Sequence, residues 1–370
     1  MRRLLPWLVG LGACLALLLL ALVPGAAWRV LAPRPLGVVV LDKTVPDTTY
    51  RGHRGVIWVL NHLKLVRPGS LSPYHAAEDY VGFVPLTGRA WSVRPFPPNP
   101  GAVRVVYVAD TYGVTAADLG ERDTGAASRR LVGGLSTGDL DALEGAARGG
   151  ATLVAEFNLA AAPTEDTTRS RAEALFGMQS TGWTGRRSTD LATDVPRWTV
   201  ALWERGAGAA WAFSGRGVLL VHRDGRVVVL SGEDLAGDGL EILPTSAGRA
   251  LGMRPAPAPQ GWFDLVLPRG ATTLALYRWD LAPRGDSLLA AAGVPLVAAA
   301  AVAHRRGAAR TYYLAGDFAN VARLPRWVRV RGGAAFMRLL PGWWMPADEA
   351  FFWRGYVPLL TSILDWSAGS

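Results

Sequence analysis

Continuous apolar runs and runs at helical spacing alternate along the first half of this 370-residue chain. The continuous runs, Leu36–Leu41, Val103–Ala109 and Ala151–Ala155, are typical of strands buried on both faces of a parallel sheet. Tyr50–Leu65 instead places its apolar residues on one face of a helix. This alternation of strands and helices predicts a doubly wound parallel α/β sheet over residues 36–196.

The pattern changes halfway along the chain, where short apolar runs follow one another and Asp224-Gly225 marks a hairpin turn. The predicted strands there are Thr199–Trp203, Ala210–Phe213, Val218–His222, Val227–Leu230, Trp262–Leu267 and Thr273–Trp279. We therefore expect a β-rich subdomain over residues 197–280. Residues 281–370 are expected to return to the α/β domain, with the strand pair Pro295–His304 and Arg310–Leu314 and an aromatic-rich helix, Trp343–Trp366.

The first 28 residues are predicted to form a membrane anchor. Two arginines precede the uncharged run Leu4–Val23, and a bilayer core requires about 20 apolar residues. A cleaved signal peptide is one alternative, because Pro24–Ala27 offers small residues at a cleavage position. A lipoprotein signal ending at Cys14 is another. The anchor predicts a single-pass protein of the bacterial cytoplasmic membrane, with residues 29–35 as a tether and the remaining chain outside the cytoplasm.

The charge and the cysteine content of the chain argue against several classes of function. The chain has 39 basic and 30 acidic residues and a net charge of +9. It has no basic run or zinc-knuckle spacing, so nucleic-acid binding is not expected. Its one cysteine, Cys14, lies in the N-terminal apolar run, which excludes a disulfide, a thiolate metal site and a cysteine nucleophile elsewhere. The five histidines form no metal-binding pair at helical spacing. We predict no metal site and no cofactor.

Polar side chains follow each of the three buried strands directly. Asp42 and Lys43 follow the first strand, Asp110 and Tyr112 the second, and Glu156 and Asn158 the third. Ligands of open α/β sheets bind beyond the carboxyl ends of the strands, because loops and helix N-termini converge there. The sequence therefore predicts a site at this edge of the sheet.

Paired carboxylates at such a site could work as general acid and base. We assign Asp110 and Glu156 as candidate catalytic residues, and Asp42, Lys43, Tyr112, Asn158 and Trp183 as candidate substrate-binding residues. Glu156 is expected at the floor of the crevice, so that Glu156→Gln would abolish ligand binding or activity with little loss of stability. The alternative for each carboxylate is a helix cap or an ion pair with Lys43 or an arginine. The three strand-end carboxylates, Asp42, Asp110 and Glu156, also suit Mg²⁺ or Ca²⁺, and the sequence leaves that alternative open.

A capped helix and a Gly-Gly turn precede the third strand. The residues are Gly133-Gly134-Leu135-Ser136 with Asp139, then Gly149-Gly150 leading into Ala151–Ala155. This arrangement resembles class I glutamine amidotransferase-like domains, which implies a flavodoxin-like fold with its reactive residue after the third strand. Glu156-Phe157-Asn158 stands where those enzymes place a cysteine, which excludes glutaminase activity. The chain also resembles an uncharacterised group of membrane-anchored bacterial proteins that share the strand ends Leu41–Thr44, Ala109–Gly113 and Ala155–Asn158.

Two function classes follow from these residues. The first is a non-catalytic component of cell-envelope polysaccharide assembly, which binds a glycan in the crevice or serves as a scaffold. The alternative is a carboxylate-dependent hydrolase or transferase that acts on envelope glycans. The sequence favours the first class slightly, because the nucleophile of the similar family is missing, and it leaves the enzyme question open.

Overall fold

The structure, a computed structural model, describes residues 22–97, 103–121, 128–321, 324–341 and 344–369. The strands in this part of the chain are β1 (Arg34–Pro35), β2 (Val38–Asp42), β3 (Leu65–Val66), β4 (Val81–Pro85), β5 (Trp91–Arg94), β6 (Val105–Asp110), β7 (Val114–Thr115), β8 (Arg130–Val132), β9 (Thr152–Ala155), β10 (Met178–Ser188), β11 (Gly217–His222), β12 (Val227–Leu230), β13 (Leu235–Pro244), β14 (Ala256–Pro257), β15 (Gly261–Pro268), β16 (Thr272–Leu281), β17 (Val297–Arg306) and β18 (Ala309–Leu314).

The helices of the same part are α1 (residues 22–29), α2 (Arg51–His62), α3 (Thr137–Arg148), α4 (Asp166–Phe176), α5 (Arg197–Ala207), α6 (Ser246–Ala250), α7 (Pro283–Ala292), α8 (Gly333–Leu339), α9 (Ala347–Phe351) and α10 (Val357–Gly369). A π-helical turn, Phe352–Tyr356, joins the last two.

Five parallel strands form the part of the sheet that contains the three predicted strand ends. They lie side by side in the order β4, β2, β6, β9 and β18. The three strands predicted from the apolar runs are therefore parallel neighbours. The chain order reverses at β2, because β4 pairs with one of its edges and β6 with the other. That reversal opens a crevice at the carboxyl ends of β2 and β6.

The sheet does not end at its parallel part. β18 pairs with β9 on one edge and antiparallel with β17 on the other, and β17 then pairs with both β15 and β16. Among the described residues, fourteen strands join in this one mixed sheet. The predicted fold class, a flavodoxin-like and amidotransferase-like doubly wound parallel sheet with a β-rich subdomain, is therefore wrong. The reason is that β17 and β18 carry the hydrogen-bond ladder across what would have been a free sheet edge.

One predicted strand of the second half is a helix. α5 covers Thr199–Trp203, begins after Pro196 and ends at Gly208, whose φ is 64°. Proline cannot continue a helix toward its N-terminal side and so favours a helix boundary, and glycine adopts the left-handed conformation that ends a helix. These two signals outweigh the short apolar alternation that favoured a strand.

The following predicted strand, Ala210–Phe213, forms no regular element. Trp211 and Phe213 pack edge-on against Trp203 of α5, with ring centroids 5.6 and 5.0 Å away. These aromatic residues therefore cover one another instead of entering the sheet.

No apolar run predicts β10, the longest strand in the described part of the chain. Its pairing with β15 shifts register between Ser180 and Thr184, next to Gly182 at φ 84°. Across this irregularity, residues two positions apart no longer face the same side of the sheet. The alternation of apolar and polar residues that marks a strand in sequence is therefore missing from β10.

The C-terminal aromatic helix packs on the domain. Phe351, Phe352 and Trp353 are buried, and the Trp353 and Trp58 rings meet edge to face at 5.1 Å. This contact holds the end of the chain against α2. Trp343, where the predicted helix began, lies outside the described residues.

Most of the predicted anchor, residues 1–21 with Cys14, also lies outside the described residues. Within the described ranges, no helix combines the length and the apolarity that crossing a bilayer requires.

Candidate functional site

A cavity of about 970 Å³ opens beyond the carboxyl ends of β2 and β6. Of the predicted site residues, Asp110, Tyr112 and Asn158 line it. Asp42, Lys43, Glu156 and Trp183 lie outside its lining. The structure thus brings three of the seven predicted residues together in one cavity and adds Asp317, Trp198 and Trp262 to them.

Asp110 is a buried acid that reaches the cavity. It ends β6 opposite Asp42 of β2, and it is only 8% exposed. Its Oδ1 accepts hydrogen bonds from the backbone N–H of Tyr112 at 2.7 Å and from the Asn158 amide at 3.3 Å. Burial, followed by the charges of Asp42 and Asp317, raises the pKa of Asp110 well above its ordinary value. The side chain therefore keeps its proton to a higher pH than a solvated aspartate does.

Asp42 pairs with a histidine and does not face the cavity. Its Oδ2 lies 2.7 Å from Nδ1 of His53, and both side chains are fully buried. The other ring nitrogen, Nε2, lies 2.8 Å from the carbonyl oxygen of Ala76 and must carry a proton, since a carbonyl only accepts. His53 was not among the predicted site residues, because a lone histidine in a helix has no sequence signal.

Gly52 makes room for this pair. A Cβ atom at Gly52 would lie 2.7 Å from Oδ2 of Asp42. The small residue before His53 therefore lets α2 approach the end of β2.

Asn158 is turned toward Asp110 by its backbone. Its φ of 64° is left-handed, a conformation that asparagine tolerates better than most residues. The backbone N–H donates to Oδ2 of Asp264 at 3.0 Å, and the carbonyl accepts from the Thr111 hydroxyl at 3.1 Å. These contacts hold the amide against Asp110.

Asp264 is a supporting residue that the sequence analysis missed. It is buried on β15, and it also accepts from the hydroxyl of Tyr313 at 2.6 Å and of Thr184 at 3.1 Å. Burial raises the pKa of Asp264, and these hydrogen bonds oppose that rise. A carboxylate in the middle of the apolar run Trp262–Leu267 was the signal that could have found it.

Asp317 is another carboxylate of the cavity wall, which also includes Asp47, Asp118 and Asp166. It follows β18, and its Oδ2 accepts a hydrogen bond from the Asn320 amide at 2.6 Å. Its charge raises the pKa of both Asp110 and Glu156, so the three groups interact. It carries the signal that marked the other strand ends, an acidic residue close after a buried strand.

Lys43 supports the structure behind the cavity. Its Nζ lies 2.5 Å from Oδ2 of Asp139 and donates to the carbonyl of Gly134 at 2.9 Å. Asp139 also completes the predicted capping box of α3 with Ser136. Lys43 therefore ties the end of β2 to the start of α3.

Glu156 is buried behind the cavity wall, so the expectation that it forms the floor is wrong. Its carboxyl accepts hydrogen bonds from the Tyr107 hydroxyl and from the backbone N–H groups of Phe318 and Ala319, the latter two at 3.1 and 3.0 Å. Burial, followed by the charge of Asp317, raises the pKa of Glu156 well above its ordinary value. The strand end thus anchors the turn that carries Asp317.

The tryptophans that line the cavity do not include the predicted one, Trp183. Trp183 is buried on β10, with Arg226 over its ring at 5.2 Å. Trp198, at the start of α5, and Trp262, on β15, line the cavity, with nearly parallel rings 6.0 Å apart. Trp198 is 45% exposed. Because α5 was predicted as a strand, sequence reasoning could not place Trp198 at the rim.

The donor set does not match a metal centre. Among the described residues, no group of three or more His, Cys, Asp or Glu side chains is placed to hold a metal ion.

The chain matches no protein-family model and no curated protein. Among solved structures it is similar to Agd3, described as a novel carbohydrate deacetylase, with 10% identity and a TM-score of 0.34 over 89% of this chain and 33% of that one. A β-galactosidase from Bacillus circulans sp. alkalophilus shows 12% identity and a TM-score of 0.34 over 77% and 30%. The exo-β-1,4-mannosidase Op5Man5 from Opitutaceae bacterium strain TAV5 shows 12% and 0.29 over 79% and 32%.

These three neighbours are carbohydrate-active enzymes by name, and none of them is an amidotransferase. The chain spans about a third of the length of each. Likeness at this level defines neither the fold nor the reaction, so the geometry of the cavity has to carry the functional conclusion.

Proposed function

We propose that this protein is a carboxylate-dependent hydrolase or transferase that acts on a glycan. Asp110 is its general acid, and Asp317 is the second carboxylate of the reaction. The observation that carries the proposal is Asp110 itself, a buried carboxyl that opens onto a large cavity and has no cation to neutralise it among the described residues.

A carboxyl in this setting is costly to keep for structure alone. Moving a charged group out of water without a partner is unfavourable, so burial favours the protonated, neutral form of an aspartate. A proton held to high pH is what a general acid needs in order to protonate a leaving group. Perturbed acids in clefts are therefore candidates for catalysis.

The second carboxylate differs in its surroundings. Asp317 is only partly buried, and its oxygen accepts from the amide of Asn320. Two nearby carboxyls in unlike environments divide into an acid and a charged base or nucleophile. A glycosidic bond between them would receive the proton of Asp110 on its oxygen, while Asp317 activates water or attacks the sugar carbon.

The rest of the wall suits a sugar. The stacked indoles of Trp198 and Trp262 line the same cavity as the carboxyls, and Trp198 leaves 45% of its surface exposed. Sugar rings carry apolar C–H faces between their hydroxyls, and aromatic side chains with a wide apolar face pack on them. The amide of Asn158 and the hydroxyl of Tyr112 add hydrogen-bonding groups. The N-terminal apolar run favours a glycan of the cell envelope.

The test compares Asp110→Asn with Asp47→Asn in an assay of reducing-end release from a panel of envelope glycans and aryl glycosides. Asp47 also lines the cavity, and its Oδ1 accepts from Thr49, a bond that an amide oxygen keeps. Loss of a general acid should reduce turnover by about 10²- to 10⁴-fold. The Asp47 variant should stay near the wild-type rate.

Two results would decide against the proposal. Equal rates for Asp110→Asn and wild type would remove Asp110 from the chemistry. Glycan binding by the wild type without turnover of any substrate would favour the non-catalytic binding component instead.

A further inference from the structure

An apolar face lies where the uncharged N-terminal run joins the domain. We call it the N-terminal apolar face. Its exposed side chains are Leu22, Val23, Val30, Leu31, Trp327, Phe336 and Leu339. Phe336 and Leu339 are three residues apart on α8 and share one side of that helix, and the Trp327 ring packs edge-on against Phe336 at 6.4 Å. Exposed apolar groups that form a contiguous patch mark an interaction surface.

The two segments of the face are joined to each other and to the domain. The backbone N–H of Arg331 donates to the carbonyl of Pro24 at 3.2 Å, which ties α1 to the turn before α8. The indole N–H of Trp28 donates to the carbonyl of His62 at 2.8 Å, and Nζ of Lys64 lies 3.9 Å from the centroid of the Trp28 ring. The face is therefore a fixed surface of the protein.

Positive charge borders this face. Arg29 and Arg331 are exposed, and within the described ranges neither guanidinium has a carboxylate partner. Long basic side chains beside apolar ones can lay their stems on lipid while their charged ends reach phosphate groups. Tryptophans such as Trp327 favour the same headgroup level of a membrane.

We infer that the N-terminal apolar face lies against an anionic phospholipid bilayer. The uncharged run Leu4–Val23 ends inside the face, at Leu22 and Val23. If that run spans the bilayer, α1 emerges at headgroup level and brings α8 with it. The membrane then covers side chains that water would otherwise meet, and the domain is held in one orientation instead of swinging on a tether. This inference rests on the proposed anchor and is independent of the glycan activity.

The test places a fluorescent label on the face of the full-length chain. In a Cys14→Ser background, Phe336→Cys or Leu339→Cys carries an environment-sensitive dye, and the chain is reconstituted in vesicles of phosphatidylcholine and phosphatidylglycerol in equal parts. Val297→Cys is the matched control, because Val297 is an apolar side chain of similar exposure on β17, which pairs with β15, β16 and β18. Two labelled positions on the face guard against one variant that fails to fold.

We expect blue-shifted emission and quenching by brominated lipid at both face positions, with neither change at Val297. Quenching should weaken in vesicles of phosphatidylcholine alone, because the arginines then lose their anionic partners. Face labels that behave like the control would overturn the inference. Blue-shifted labels that brominated lipid does not quench would show a protein contact, such as a second copy of the chain, and would also overturn it. So would a chain that does not associate with the vesicles.

Discussion

Glu156→Gln should destabilise the fold, because the carboxyl is a buried acceptor. In the protein, Oε1 accepts from the Tyr107 hydroxyl and the Ala319 N–H, while Oε2 accepts from the Phe318 N–H and, at 3.3 Å, also from the Ala319 N–H. A neutral carboxyl can share its proton with Tyr107 and still offer an oxygen to each backbone N–H. An amide has one oxygen, so its NH₂ group meets a backbone donor. Depending on the amide orientation, either the Phe318 N–H loses its acceptor or the Ala319 N–H keeps only its longer contact of 3.3 Å, at a cost of about 1–3 kcal/mol.

The loss of unfolding free energy caused by Glu156→Gln should depend on pH in a defined direction. Burial raises the pKa of Glu156, so the folded protein binds this proton more tightly than the unfolded chain does. The stability contributed by the proton is fully present below the unfolded pKa and is lost as pH rises through the folded pKa. Glutamine does not titrate. The difference in unfolding free energy between wild type and variant should therefore be largest at about pH 4 and below, and it should shrink as the pH rises.

Urea unfolding at a series of pH values measures this difference. Glu233→Gln is the control, because Glu233 is a surface carboxylate, paired with Arg284 at 2.9 Å, and its loss should stay within about 0.5 kcal/mol. A Glu156→Gln deficit that is constant with pH, or that grows toward neutral pH, would refute the assignment of a protonated Glu156.

Three further variants test the geometry around the cavity. Lys43→Met breaks the contact with Asp139 and should cost about 1.5–3 kcal/mol in urea unfolding; a change in glycan affinity without that loss would return Lys43 to the ligand site. Gly113→Ala should be more destabilising in thermal unfolding than Gly150→Ala. Both glycines have a left-handed φ, but only at Gly113 would a Cβ lie 1.9 Å from a carbonyl oxygen; equal losses would contradict the predicted clash. Trp198→Ala should weaken glycan binding about 10-fold in calorimetry while stability stays within about 0.5 kcal/mol; unchanged affinity would remove Trp198 from the sugar platform.

The sequence determined the local elements with the strongest patterns. The buried runs that became β2, β6 and β9 were recognisable because strands covered on both faces need apolar side chains at every position. The capping box at Ser136 and Asp139 was recognisable because its hydrogen bonds join residues three positions apart. These strands predicted which edge of the sheet holds the cavity. They also predicted three of the residues that line it, Asp110, Tyr112 and Asn158.

Tertiary structure decided how far the sheet extends and which strand-end residues face the cavity. The pairing of β18 with both β9 and β17 joins strands that are distant in sequence, and no local pattern records such a contact. Asp42, Glu156 and Asp110 look alike as acidic residues after buried strands. They differ only because His53, the turn at Phe318 and Ala319, and the open cavity meet them in space. Burial and hydrogen-bond partners give each carboxyl its role, and both are properties of the folded chain.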